Sequence, residues 1–171
     1  MTEIEVKVKV DDLAALRKRL LELGAAVWKE RHFEENTLYD FPDRRLSGRG
    51  EALRVRKVGR KAFLTFKGTP QKSRKFKIRT EYETEARNAR DLIRIIQALG
   101  LSPVARYEKH RTELRKGTLS ICLDETPIGT FVEFEGERET IARMARTLNM
   151  PKEAWIKKSY LTLLREAGRP V

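Results

Sequence analysis

Residues Glu3 to Val10 read E-I-E-V-K-V-K-V. A period of two this strict puts Ile4, Val6, Val8 and Val10 on one side of an extended chain and Glu3, Glu5, Lys7 and Lys9 on the other. The same two-faced pattern returns along the chain. Leu53 and Val55 oppose Arg54 and Arg56; Leu64 and Phe66 oppose Thr65 and Lys67; Tyr82 and Thr84 oppose Glu81, Glu83 and Glu85; Val132 and Phe134 oppose Glu133 and Glu135. For any one strand a solvated sheet face explains the ions. A solvated face, however, accepts Ser, Thr, Gln and Asn as readily, whereas these strands take Arg, Lys and Glu almost throughout. About eight strands of this kind could close into a barrel with a charged interior and helices over its apolar outside.

Alternation and turn signals place strands at Glu3–Val10, Glu34–Asp40, Ala52–Lys57, Lys61–Lys67, Lys75–Ala86, Val104–Arg115, Thr118–Asp124 and Gly129–Glu137. Asp11 or Asp12 caps a helix with apolar positions from Leu13 to Val27, weakened at Gly24, and Asn88 caps one carrying Leu92, Ile95, Ile96 and Leu99 as far as Gly100. Further helices are expected around Ile141 to Leu148 and from Trp155 to Ala167. The strand-to-helix order of the first half echoes in the second, a weak sign of two similar units in one sheet system. No linker divides the chain, so one domain spanning 1–171 is expected.

The balance of 37 Lys+Arg against 25 Asp+Glu gives +12, a field that favours an anionic partner without saying which. With 40% hydrophobic residues the chain is too apolar for a disordered polyelectrolyte. The absence of an apolar run of about 18 residues predicts a soluble, cytoplasmic protein with no membrane partner. One cysteine excludes an internal disulfide, and two histidines are too few for a thiolate or imidazole zinc cluster, so any metal should be a hard cation on carboxylates. Carboxylates gathered in a lumen stay ionised together only with a cation among them, while lysines and arginines there would neutralise phosphate.

The other signals are weaker. Gln71 to Lys77 is basic around Phe76 and reads as a mobile, solvated loop at the tunnel mouth; without a helix-turn-helix, RNP or zinc-finger signature, no nucleic-acid partner is expected. Gly48-Arg49-Gly50 lacks P-loop spacing. Cys122 reads as packed and inert, with no basic neighbour on its face, and His32 and His110 as ordinary partly buried imidazoles.

Glu3-x-Glu5-x-Lys7 resembles the signature of the CYTH superfamily, the triphosphate tunnel metalloenzymes. The agreement continues in order through Tyr39-Asp40, Leu53-Arg54-Val55-Arg56, Leu64-Thr65-Phe66-Lys67-Gly68, Arg79-x-Glu81-x-Glu83, Lys109-x-Arg111, Leu123-Asp124 and Phe131 to Glu135. The closing Lys158-Ser159-Tyr160-Leu161 resembles the class IV adenylate cyclase branch. The resemblance implies an α+β fold, an eight-stranded antiparallel closed barrel flanked by helices, acting on a triphosphate with Mg2+ or Mn2+. By the same resemblance Glu3, Glu5, Glu133, Glu135 and Asp124 would hold the metal, and Lys7, Arg54, Arg56, Lys67, Arg79, Lys109 and Arg111 would grip the phosphates. Lys7, Tyr39 and Lys158 are the candidate catalytic residues.

The expected reaction is conversion of ATP to cyclic AMP and pyrophosphate. The alternatives are hydrolysis of inorganic or thiamine triphosphate and, behind both, a non-catalytic binder of polyphosphate or RNA. Both reactions would use one set of phosphate clamps, and nothing in the sequence reveals what would bind adenine and ribose. The pattern leaves room for a homodimer.

Overall fold

The computed structural model describes residues 2–171. Its strands, in chain order, are β1 (Thr2–Val10), β2 (Ala26–Asp40), β3 (Ala52–Val58), β4 (Lys61–Lys67), β5 (Lys77–Ala86), β6 (Ser102–Lys116), β7 (Leu119–Thr126), β8 (Gly129–Glu135) and β9 (Trp155–Ile156). The helices are α1 (Leu13–Glu22), α2 (Arg45–Gly48), α3 (Ala89–Ala98), α4 (Arg138–Thr147) and α5 (Tyr160–Glu166). The sheet runs β5-β4-β3-β2-β6-β7-β8-β1, and Thr2 to Glu5 of β1 pair back onto Thr80 to Lys77 of β5. That pairing closes an eight-stranded antiparallel barrel of the expected α+β class. The short β9 continues the edge of β1 at Lys7 and Val8.

Polarity is inverted as the alternation predicts. The outward side chains Val6, Val8, Leu114, Ile121, Leu123, Val132 and Phe134 pack with Leu16 and Leu20 of α1 and with Ile141 and Met144 of α4. A second cluster joins Tyr39, Leu46, Val55 and Leu101 to Ile96 of α3. The ions face inward: Lys7 is 2% exposed, Glu34 1% and Asp124 0%. Burying such groups costs several kcal/mol each unless they are paired, so the interior must be a network of opposite charges.

Several boundaries differ from the sequence expectation, each for a local reason. β2 begins at Ala26, eight residues before the expected Glu34. Its pairing with β6 shifts register between Val27 and Lys29 and between Lys29 and His32, and such bulges break the period of two that reveals a strand. The expected helix from Trp155 to Ala167 is confined to α5, because Trp155 and Ile156 pair with Val8 and Lys7 instead. Ser159 then caps α5 by accepting from the Thr162 amide. β5 begins at Lys77, and Phe76 before it packs against Trp155 at 5.4 Å between ring centroids; the segment read as a solvated loop is thus anchored at its end. α2, not among the expected helices, is held by Asp40, whose carboxylate accepts from the amides of Phe41, Leu46 and Ser47 and from the Ser47 hydroxyl.

Candidate active site

The barrel encloses a cavity of about 1000 Å³ lined by ionic side chains from its strands. Around its wall, cations and carboxylates alternate. Lys67 bridges Glu3 (3.1 Å) and Glu81. Arg54 lies near Glu81 and Glu83, and Arg56 spans Glu83 (2.8 Å) and Glu34 (3.5 Å). Lys109 joins Glu34 (3.7 Å) to Asp124 (3.0 Å), Arg111 joins Asp124 (2.6 Å) to Glu133, and Lys7 meets Glu133 at 3.0 Å. Lys77, absent from the expected site, pairs with Glu5. A ligand anion entering here exchanges one anionic partner for another and finds its cations already positioned.

The carboxylates are less evenly matched. Glu5 and Glu135 are register partners on β1 and β8, with Glu133 one step along. Burial, followed by the nearby Glu3 and Glu5, pushes Glu135 up to about 7. Burial and a hydrogen bond with Glu81 also raise Glu3. Burial works against ionisation of Glu133 too, but Lys7 and Arg111 hold it well below the usual carboxylate range. Glu3, Glu5 and Glu135 therefore form an acidic corner that the protein's own cations do not fully neutralise.

The expected phosphate-gripping residues Lys7, Arg54, Arg56, Lys67, Lys109 and Arg111 all line the cavity, as do Glu3, Glu5, Glu133 and Glu135. Arg79 lines it as well, but its guanidinium donates to the carbonyls of Gly68 (2.8 Å) and Gly50 (2.5 Å), tying the loops after β4 and before β3. Asp124, expected among the metal ligands, has both oxygens occupied. Arg111 donates to each, and Lys109 and the Tyr160 hydroxyl (2.7 Å) share Oδ2. On the inner face of β7 but 0% exposed beneath these partners, it orients two cations.

Among the catalytic candidates, Tyr39 points away from the cavity into the apolar cluster beneath α3, because odd-numbered residues at this end of β2 face outward. The Lys158 ammonium turns to Glu166 at 2.8 Å, and only its backbone carbonyl reaches inward, accepting from Lys7.

Sequence reasoning also missed interior residues. Tyr160, the first residue of α5, lies in the barrel with Lys7 Nζ 3.9 Å and Lys109 Nζ 4.8 Å from its ring centroid. Tyr107 lines the cavity; burial opposes its ionisation, yet Arg54 and Lys109 hold it below the ordinary tyrosine range. Its place in the lumen could have been read from its even spacing with Lys109 and Arg111. Cys122 also lies on the lumen side, beside Arg111 and against the expectation of no basic neighbour, but burial pushes its thiol up to about 12. It is inert for that reason.

Residues 1–160 match the CYTH domain. This chain belongs to the CYTH domain family. A candidate adenylate cyclase of Methanocaldococcus jannaschii is 30% identical over 95% of this chain and 98% of its own length. In fold, the chain is similar to a candidate adenylate cyclase of Vibrio parahaemolyticus, with TM-score 0.83 at 21% identity over 96% of this chain and 98% of that one. It is also similar to a candidate adenylyl cyclase of Hippeastrum described as having a dominant triphosphatase activity, with TM-score 0.70 at 20% identity over 99% and 97% of the two chains. Among the described residues of this CYTH protein no helix is long and apolar enough to cross a membrane.

Proposed function

We propose that the protein is a divalent-cation-dependent enzyme acting on a triphosphate, with cyclisation of ATP to cyclic AMP and pyrophosphate as the leading reaction. The observation that carries this reading is the pairing within one cavity of a cationic wall with an acidic corner left short of positive charge. A polyanion alone would be repelled by that corner, and a cation alone by the wall; a metal-bound triphosphate satisfies both.

The donors fit a hard cation, because Glu3, Glu5 and Glu135 offer only oxygen and like-charge crowding on Glu135 is what a dication relieves. Glu133, held ionised by Lys7 and Arg111, completes the acidic side. When bound, Mg2+ or Mn2+ would supply charge neutralisation of phosphate oxygens.

The protein's own residues do the rest. Arg54, Arg56 and Arg111 offer planar forks and Lys67, Lys109 and Lys7 point charges, so the phosphate chain is gripped and its developing charge spread. Asp124 and Tyr160 fix Lys109 and Arg111 from behind. Tyr107, a phenol made more acidic by its cationic neighbours, is the lumen group suited to proton exchange with a ribose hydroxyl or a water. In cyclisation the ribose 3'-hydroxyl attacks the α-phosphorus in line and pyrophosphate leaves; in hydrolysis water attacks the terminal phosphorus.

The second reading, a triphosphatase, is favoured by the activity described for the Hippeastrum protein. Purified protein with Mg2+ or Mn2+ and either ATP or tripolyphosphate separates the two. Cyclic AMP with pyrophosphate supports the cyclase, orthophosphate supports the hydrolase, and tight binding without turnover contradicts both.

A further inference from the structure

Two histidines were expected to hold no metal, yet the fold brings His32 of β2 next to carboxylates from β2 and β6. His32 Nε2 lies 3.4 Å from Glu34 Oε1 and 3.5 Å from Glu113 Oε1, and the ligand atoms of all three residues lie within 4.8 Å of one another. The ring's other nitrogen, Nδ1, is 2.8 Å from the Glu30 carbonyl. A carbonyl only accepts, so Nδ1 carries the hydrogen. In the neutral ring Nε2 is then a lone pair aimed at two carboxylate oxygens with no hydrogen between them; the nearest donors are Arg56, 3.5 Å from Glu34 Oε1, and Lys29, 3.8 Å from Glu113 Oε1. A backbone carbonyl that fixes one nitrogen while the other faces anionic oxygens is how proteins orient a metal-binding histidine.

Two of the three spacings agree with a small tetrahedral ion, and the third lies within 4.8 Å. Ligands about 2.1 Å from zinc stand about 3.4 Å apart, which is the separation of His32 Nε2 from each carboxylate. Glu34 is 1% exposed; its Oε1, the oxygen facing His32, also accepts from Arg56 at 3.5 Å, while Oε2, 3.7 Å from Lys109, has no hydrogen-bond partner. Its cationic neighbours do not depend on it. Arg56 is 2.8 Å from Glu83 but 3.5 Å from Glu34, and Lys109 is 3.0 Å from Asp124 but 3.7 Å from Glu34. Arg111, register partner of His32, is already shared by Asp124 and Glu133. Glu34 is thus the weaker partner of each cation and is available to another.

We propose that His32, Glu34 and Glu113 form a second metal site, distinct from the acidic corner of Glu3, Glu5 and Glu135, that takes a borderline divalent ion such as Zn2+ or Co2+. One nitrogen with two carboxylates suits such ions, whereas Mg2+ prefers oxygen alone. The two carboxylates match the ion's charge, and a water can complete the tetrahedron because His32 and Glu113 are partly open to solvent. The site shares Glu34 with the phosphate-gripping Arg56 and Lys109, so its occupant would sit directly behind that wall. The proposal does not depend on which triphosphate the lumen accepts.

Co2+, whose d–d absorption intensifies in four-coordinate sites, is the probe. The full-length protein, held in excess Mg2+ to fill the acidic corner, is titrated with Co2+. One equivalent of visible absorption is expected, lost in His32→Ala and Glu113→Gln and kept in Glu5→Gln, with thermal melting confirming that each variant is folded. Zn2+ should displace the colour. Absorption that survives His32→Ala, or no absorption at all, overturns the proposal. So does 15N NMR at neutral pH showing both ring nitrogens of His32 protonated with Co2+ or Zn2+ present, because the cluster is then an imidazolium salt bridge.

Discussion

The two sides of the lumen are built on different terms. On the cationic wall, Arg54, Arg56, Lys109 and Arg111 each face at least one carboxylate of the barrel, and Asp124 is fully occupied behind two of them. At the acidic corner Glu3 and Glu135 hold their protons more tightly than free carboxylates do. One side is thus pre-neutralised and the other short of positive charge; on the proposed function the first would exchange its carboxylates for phosphate and the second would take a cation.

The comparison breaks most severely where the cationic wall is anchored. Asp124→Ala leaves Lys109 and Arg111 buried without their shared anion and should cost about 3–5 kcal/mol of stability, measured by denaturant unfolding. If stability is unchanged, the wall is not organised from behind. At the corner, Glu5→Ala should leave the fold intact and lower metal-dependent turnover about 100- to 1000-fold, the size of losing one preorganised electrostatic group; full activity would remove Glu5 from the cation site. Lys67→Ala sharpens the contrast from the other side, raising KM for the triphosphate about tenfold or more with a smaller change in kcat.

The corner also has a pH signature. Because Glu135 is raised from 4.5 to about 7 in the metal-free fold, its contribution to stability is present below about pH 4.5 and is lost as pH rises through about 7. Screening by the open cavity reduces that contribution to about 1 kcal/mol. Comparing metal-free protein with Glu135→Gln across this range should show the loss in the former only, and parallel curves would contradict the shift. The smallest effect is expected outside the lumen, where Tyr39→Phe should leave turnover unchanged and shift stability by less than about 1 kcal/mol.

The barrel was legible wherever side-chain period survived. In β1, β3, β4 and β8 alternation put Glu3, Glu5, Lys7, Arg54, Arg56, Lys67, Glu133 and Glu135 on the ionic face, and all of these line the cavity, whereas Lys9 near the end of β1 is exposed. In β2 the bulges around Lys29 erased that period, so the early part of the strand and the approach of His32 to Glu113 were invisible. β9 was missed because two residues that pair with β1 carry no periodicity of their own. The ionic residues of the site could be named, but their roles depended on contacts between strands far apart in sequence. Asp124 looks like any other carboxylate until Arg111, Lys109 and Tyr160 converge on it, and Tyr39 looks like an acid/base candidate until its parity on β2 is known.

The central claim is that cation and polyphosphate need each other to occupy one lumen, and calorimetric titration of tripolyphosphate into the protein with and without Mn2+ tests it most directly. One molecule should bind per chain, at least tenfold more tightly with the cation present, and that gain should vanish in Glu5→Ala. Equal affinity with and without Mn2+, or a gain untouched by the substitution, would show that the acidic corner takes no part in holding the ligand.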